Sequence, residues 1–497
     1  MKNIIKIFLI FAIITSMASA VYYPYKSTFP LSADISMNNH KLTDLAAPTA
    51  SNDAATKAYV DSSGGSGGDE VVTVGPYAWC DYATDGTDDY VQLQAANDYS
   101  YLTYGGGKIL VIGNIYLGSG DVVLSQYISL EGVNDPMADY ATGQTLAKAQ
   151  MSRILITKTT GSGAITLNSM NAVKNIGFWY PNQVTSGTPT VYPPTLKIAD
   201  YAQHVFIQRV NCGNAYYFID ASGSHNSLQC DYVYGSPISR FVLVSNSWGG
   251  DLFQNCDIWP LYTFTTPSDS YLSWIQENLI CFEVYQSDGI RFRDCNIFGA
   301  GYGWRFHGTS RPTIIGCETD AVLNPIASDS NAYIIQIDNC LIDVYRWKGD
   351  PSWTTSGFAI CINGGWQHCI TNNKIIRSGS SAIWIADAFD CVVSNNLIPD
   401  FGKSGTFLNR ALMFHGDSSV ISGNQMDAQG ATGTQGIYLE GNGNTVIGNV
   451  LKGMEYPALL IHTGSAHNVV VGNCGTSTGG LTDNSGQTNE VAHNYWT

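Results

Sequence analysis

The sequence predicts an all-β fold, a parallel β-helix in which short strands coil into stacked rungs. Three observations predict it: a turn position that recurs along the second half of the chain, apolar residues at fixed offsets on both sides of that position, and a suitable composition. Of 497 residues, 51 are Gly, 12% are aromatic and only 13% are charged. That balance suits short strands and tight turns better than long, salt-bridged surface helices.

The repeat is read by aligning Cys230, Cys256, Cys295, Cys317 and Cys340 with Asn373, Asn396, Asn424, Asn449, Asn473 and Asn494. Most intervals approximate one solenoid coil, and the two long ones, after Cys256 and Cys340, are expected to hold loop insertions. Three residues earlier stand Phe253, Phe292, Ile314, Ile337, Ile370, Val393, Ile421, Val446, Val470 and Val491. Two residues later come Ile258, Ile297, Ile342, Ile375, Ile398, Met426 and Leu451, with Thr319 and Gly475 as exceptions. Apolar positions on both sides of a polar or small turn residue mean two short strands feeding one core. Asn side chains stacked at one inward turn satisfy one another's amides, each of which would otherwise cost about 1–3 kcal/mol.

The elements before the repeat follow in order. Residues 1–20, MKNIIKIFLIFAIITSMASA, combine lysines, an apolar stretch from Ile7 to Ile14 and small residues at Ala18-Ser19-Ala20, so an export signal cleaved after Ala20 is expected. The apolar stretch is shorter than the ~20 residues of a spanning helix, and no membrane span is expected later. Residues 21–61 form a segment too small for a core of its own. Residues 62–70, with Ser62-Ser63-Gly64-Gly65-Ser66-Gly67-Gly68, read as a flexible hinge. Residues 71–134 read as a cap with the first strands: Asp88 or Asp89 starts a short helix, Gly105-Gly106-Gly107 ends it, and Lys108–Ile112 is a strand. The solenoid occupies 135–497.

Two resemblances rest on these residues. Met37, Asn38, Lys41, Leu42, Leu45, Pro48, Asp53, Ala54, Lys57, Tyr59, Val60 and Asp61 resemble a segment of phage tail fibre and collar proteins. This resemblance implies a trimeric fibre. The Asp85-Gly86-Thr87-Asp88-Asp89 start, helix, triple glycine and strand resemble the N-terminal cap of the pectate-lyase-like superfamily, which implies a right-handed parallel β-helix. The complete catalytic signature of a polygalacturonase or a calcium-dependent pectate lyase is not recognised.

The formal charge of −16 argues against a nonspecific grip on nucleic acid. It also disfavours polyanionic glycans, while neutral or weakly charged glycans face no such barrier. The ladder cysteines lack a Cys-x-x-Cys pattern and fall one per rung, so buried reduced thiols are expected rather than a metal site. No cofactor is expected, and no nucleophile elbow, P-loop or zinc-protease helix motif is present.

Two sets of residues are candidates for chemistry. Asp320 and Asp343 fall three residues after Cys317 and Cys340, so they should lie outward on neighbouring rungs about 4.8 Å apart. Such a pair, with Glu318 beside it, either separates two carboxyl pKa values for acid–base work or forms a solvated acidic edge. Arg305, His307 and Arg311, just before it in sequence, would orient substrate. The second set aligns His415 with Glu440, either an acid–base pair or a cross-rung contact, near Asp417 and His462. Trp384, Tyr438, Trp347, Trp353 and Trp366 offer flat faces to sugar rings, or else fill the core or a subunit contact; Trp304 is expected inward. Three functions stay open: a trimeric tailspike-like or fibre-like protein, secreted or on a virion surface, that binds and cleaves polysaccharide; a noncatalytic extracellular adhesin or structural fibre; and a monomeric secreted polysaccharide lyase or glycoside hydrolase.

Overall fold

The computed structural model describes residues 71–134, 152–260, 267–329, 332–346, 357–402 and 409–497. The expected leader, fibre-like segment and hinge, together with Trp347 and Trp353, lie outside these residues. Among the described residues no helix is long and apolar enough to cross a membrane.

The cap forms where an acidic turn is followed by a stretch whose inward residues recur at helical spacing. Helix α1, Tyr90–Tyr104, buries Leu93, Ala96, Asn97 and Ser100, the one-sided spacing of a helix lying on a core. Gly105 closes it in the left-handed conformation, φ 74°, which costs glycine little. The two aspartates act differently from the expected side-chain cap. Asp89 accepts N–H bonds from Gly86 at 3.2 Å and Tyr116 at 2.8 Å, and Asp88 accepts one from Gly118 at 2.8 Å. They therefore tie the start of α1 to the strand Asn114–Leu117 and the turn after it. The strand after the glycines, Gly107–Val111, pairs in parallel with Val71–Gly75 and with Ile128–Gly132.

Beyond the cap each full rung carries three strands, as in Arg291–Arg293, Asn296–Phe298 and Tyr302–His307. The next rung repeats them at Thr313–Ile315, Glu318–Asp320 and Asn324–Ser328, every pair parallel. These three stacks are called first, second and third here; the third is a 14-stranded sheet among the described residues. The apolar column expected three residues before the turn pairs rung to rung from Phe253 to Val491. Phe253 through Val470 in this column are at most 1% exposed. Phe253, Phe282, Phe292 and Trp304 interleave from two stacks at centroid distances of 4.8–6.1 Å, so Trp304 faces inward. The long interval after Cys256 contains helix α2, Asp269–Asn278, capped by Ser268, whose hydroxyl accepts the N–H of Tyr271.

One member of the alignment is displaced. Cys230 pairs with Phe253 rather than Cys256, and the register places Val233 at the turn instead. Here the strand His225–Ser236 runs through the corner without a break, bending at Ser227 and Tyr232, whose φ values are 58° and 52°. Continuous pairing hides the turn from a spacing argument.

The turn itself has two parts. The residue before each ladder position adopts φ of 51–68°, at Asn255, Asp294, Gly316, Asn339, Asn372, Asn395, Gly423, Gly448, Gly472 and His493. Mostly Asn, Asp and Gly stand there because these residues tolerate the left-handed region best. The ladder side chain then points into the core. Asn424 Oδ1 accepts the backbone N–H of Asn396 at 3.0 Å and its Nδ2–H at 2.9 Å. Asn424 Nδ2 donates to Val393 O and to Asn449 Oδ1, both at 2.9 Å. Asn373, Asn396, Asn449 and Asn473 repeat this pattern. Cysteine continues it upstream, where Cys317 Sγ accepts the N–H of Cys295 at 3.4 Å.

A second ladder lies five residues earlier. Ser419 Oγ accepts from Cys391 N, and Asn444, Asn468 and Asn489 each accept the N–H of the rung before at 2.9–3.0 Å. Replacing Asn424 by Ala removes the acceptor for two buried N–H groups of Asn396 and one donor to Val393. The expected loss is about 2–5 kcal/mol of stability, read as a lower urea midpoint with unchanged slope. A loss below about 0.5 kcal/mol would show that the ladder is not a source of stability.

Candidate active site on the outer face of the third stack

The expected site residues separate into three places. Asp320 and Asp343 do lie side by side on the second stack, since Glu318 pairs with Leu341 and Thr319 with Ile342. Asp343, however, is 5% exposed rather than outward. Arg377, from the following rung, donates from Nε to Asp343 Oδ1 at 2.7 Å, contacts the other Asp343 oxygen through Nη2, and lies 3.7 Å from Asp320 Oδ1. Its guanidinium covers the Tyr345 ring at 4.0 Å. Burial, then the charge of Asp320, pushes the Tyr345 phenol up to about 12. The mutual repulsion expected of the two acids is thus answered by a shared cation. Glu318 is exposed beside this pair, and together with burial it raises Asp257, two rungs away, to about 6. Burial is the larger of those two causes.

Arg305 and His307 sit on another sheet from Asp320, because strand Tyr302–His307 belongs to the third stack. There they surround Glu283, a carboxylate missed in the sequence and only 3% exposed. Arg240 Nη2 is 2.5 Å from Glu283 Oε2, and Tyr285 donates to Oε1 at 3.0 Å. His307 Nε2 lies 3.6 Å from the same Oε1, and its Nδ1 lies 3.0 Å from Asp329. Burial raises the Glu283 pKa, but His307, Arg240, Tyr285 and Arg305 outweigh it and hold the carboxyl below its usual range. Both Glu283 oxygens are occupied by the protein, so this is a closed network. Arg311 is separate again, paired with Asp288 at 2.6 Å on an exposed turn.

The third place is open. His415 pairs with Glu440 across neighbouring rungs, as the sequence alignment expects, and its Nε2 lies 3.8 Å from Glu440 Oε1. His462, on the next rung, approaches the same oxygen at 3.7 Å. Asp387, on the rung before, lies 3.4 Å from His415 Nδ1. These contacts are longer than hydrogen bonds, and the two imidazoles are each 42% exposed. Tyr438 donates to Glu440 Oε2 at 3.1 Å. Burial, then the Glu440 charge, pushes its phenol up to about 12. Arg410 packs 3.9 Å under the Tyr438 ring. Burial pulls the Arg410 guanidinium below its ordinary value.

Asp387, His415 and Glu440 line a cleft of about 470 Å³ with Phe389, Asp417, Asn442 and Ser465, and His462, Tyr438 and Arg410 lie beside it. Trp384 occupies the same outer column as Tyr438, two rungs away, and is half-buried against Phe358 at 4.6 Å. It is thus packed beside the cleft rather than laid open as a sugar platform. Among the described residues no group of three or more His, Cys, Asp or Glu is arranged to hold a metal ion.

Residues 326–474 match the family described as a right handed beta helix region, so the rungs that carry the cleft share that signature. With the parallel register of all three stacks, this defines the class of the body, an all-β right-handed parallel β-helix. No curated protein matches the chain. Among solved structures, the A-module of a mannuronan C-5 epimerase from Azotobacter vinelandii is similar at 13% identity, covering 83% of this chain and 95% of that one, with a TM-score of 0.38. Tailspike protein 3 of bacteriophage CBA120 is similar at 11% identity, covering 84% of this chain and 59% of that one, with a TM-score of 0.41. DFA-IIIase from Arthrobacter chlorophenolicus A6 is similar at 11% identity, covering 85% of this chain and 93% of that one, with a TM-score of 0.32.

The Arg377 arrangement yields a stability test. Arg377→Ala leaves Asp343 buried without its counter-ion, and the expected loss is about 2–3 kcal/mol, below the ~3–5 of a fully buried pair because Arg377 is 38% exposed. Adding Asp343→Asn should recover part of the urea midpoint. No recovery would show that charge isolation is not what the single change costs.

Proposed function

We propose that this protein is an extracellular or virion-surface, fibre-like protein that binds a polysaccharide on the outer face of the third stack and hydrolyses it in the cleft at Glu440. The observation that carries the reading is the open set Asp387, His415, Glu440, His462 and Tyr438, drawn from four successive rungs. A carboxylate and an imidazole on one face supply both halves of a proton relay. Glu440 and His415, 3.8 Å apart, are too close to act from opposite faces of one sugar, which takes ~6.5–9.5 Å, so both serve the departing side while water bonds to the anomeric carbon from the far face and gives its proton to solvent. His415, with the Asp387 carboxylate beside it, protonates the departing glycosidic oxygen as that carbon–oxygen bond breaks. Tyr438 holds Glu440 in place. The fibre-like N-terminal residues support a homotrimer, and the leader supports export.

The assignment competes with Asp320 and Asp343, and one experiment separates them. The mature protein is incubated with a polysaccharide panel while reducing ends and unsaturated uronic ends are counted. Glu440→Gln and His415→Ala are each expected to lower turnover by about 10²–10⁴-fold, with polymer binding kept. Asp320→Asn is expected to retain turnover. Full activity in Glu440→Gln with loss in Asp320→Asn would move the chemistry to the second stack, and binding without products from any polymer would support the adhesin.

A further inference from the structure

The cleft does not stand alone on the surface. At the turn before the first stack, Tyr333, Trp366 and Phe389 occupy successive rungs, linked by backbone bonds from Ile334 N to Trp366 O at 3.0 Å and from Gln367 N to Phe389 O at 2.9 Å. Their rings form a continuous strip: Tyr333 to Trp366 at 4.2 Å between centroids, and Trp366 to Phe389 at 6.1 Å with planes 12° apart. Trp366 is 39% exposed and Phe389 is 46% exposed. Such large aromatics on a surface are retained at a cost in solubility and mark a contact. Phe389 also lines the cleft, so the strip runs along the solenoid axis directly into it. At the far end it meets the turn of Arg311, whose N–H bonds to Tyr333 O at 2.8 Å and whose charge is neutralised by Asp288.

The occupant follows from shape and charge. Asp387, Asp417 and Glu440 face the cleft, against no lysine or arginine among its lining residues. An anionic polymer would be repelled there, whereas uncharged sugar rings present C–H faces to aromatics and hydroxyls to carboxylates. We infer that Tyr333, Trp366 and Phe389 form an extended subsite that holds a neutral glycan chain, running across the rungs, on one side of the Glu440 cleft. This rests on the function proposed above and adds the sugar class, the direction of the chain and the residues that grip it outside the cleft.

The test uses full-length mature protein and a panel of neutral homopolysaccharides, namely α-glucan, β-glucan, mannan and galactan, with polygalacturonate as the anionic comparison. Affinity electrophoresis reads binding and reducing ends read turnover. Trp366→Ala is expected to weaken binding of the neutral polymer about tenfold, Trp366→Phe to restore most of it, and Trp79→Ala, at a still more exposed tryptophan in the cap, to leave it unchanged. Wild-type affinity in Trp366→Ala, or an equal loss in Trp79→Ala, overturns the subsite while leaving the cleft assignment intact. Preference for polygalacturonate overturns the sugar class. If the parent protein binds none of the polymers, the subsite and the proposed function fall together.

Discussion

Stacking in parallel forces every polar group that turns inward to find its partner in the rung above or below, because water is excluded from the core and the same corner recurs each turn. Adjacent strands lie about 4.8 Å apart, a separation that an asparagine amide spans without strain. The bonds of Asn396, Asn424 and Asn449 answer both needs at once: each Oδ1 receives two N–H groups from one neighbour while each Nδ2 reaches a carbonyl of that same neighbouring rung and the Oδ1 of the other. The left-handed residue before each ladder position makes the inward turn, and the apolar columns on both sides exclude the water that would compete. Where cysteine replaces asparagine the bonds are weaker, and large aromatics such as Phe253, Phe292 and Trp304 fill the core of the same rungs.

That register also builds the site. A residue on one rung lies beside its equivalent some 25 residues later, so side chains far apart in sequence share one outer column without any loop to position them. Asp387, His415, Glu440 and His462 converge in this way. The rigidity comes from the ladder underneath, which is independent of the chemistry on top, so outer residues are free to vary while the scaffold persists. Glu283, in the neighbouring outer column with Arg305, Trp384 and Tyr438, shows the opposite use of the same face. Its oxygens are consumed by Arg240, Tyr285 and His307, and the network braces the face rather than opening it.

The legible parts of the structure are those where neighbouring rungs share a pattern. Apolar residues at two fixed offsets located the ladder from Cys256 to Asn494, and Leu412-x-Phe414 against Ile437-x-Leu439 placed His415 beside Glu440. Cys230 failed the same criterion, since Ser227 stands where an apolar residue belongs; that polar residue was the sign that its register lay three residues away. The second ladder had a readable signal in Asn444, Asn468 and Asn489, each five residues before a ladder asparagine. Other features were hidden by geometry. Arg377 lies 34 residues after Asp343, at a turn that periodicity does not describe, so the cation between Asp320 and Asp343 could not be read. Arg305 and His307 are near Asp320 in sequence, but a corner of the coil separates them onto different stacks. Asp387 lies within an irregularity in strand pairing between Ile385 and Ala388, which breaks the alignment that would have joined it to His415.

The central claim is that glycan binding belongs to the outer face of the third stack and the adjoining turn, held in place by the ladders. Hydrogen–deuterium exchange with and without a bound neutral polysaccharide tests it most directly. The account predicts added protection in peptides covering residues 384–389, 413–417, 438–442 and 460–465, with a smaller gain around Tyr333 and Trp366, and none at 318–320 or 341–343. Protection confined to the segments around Asp320 and Asp343 would contradict it.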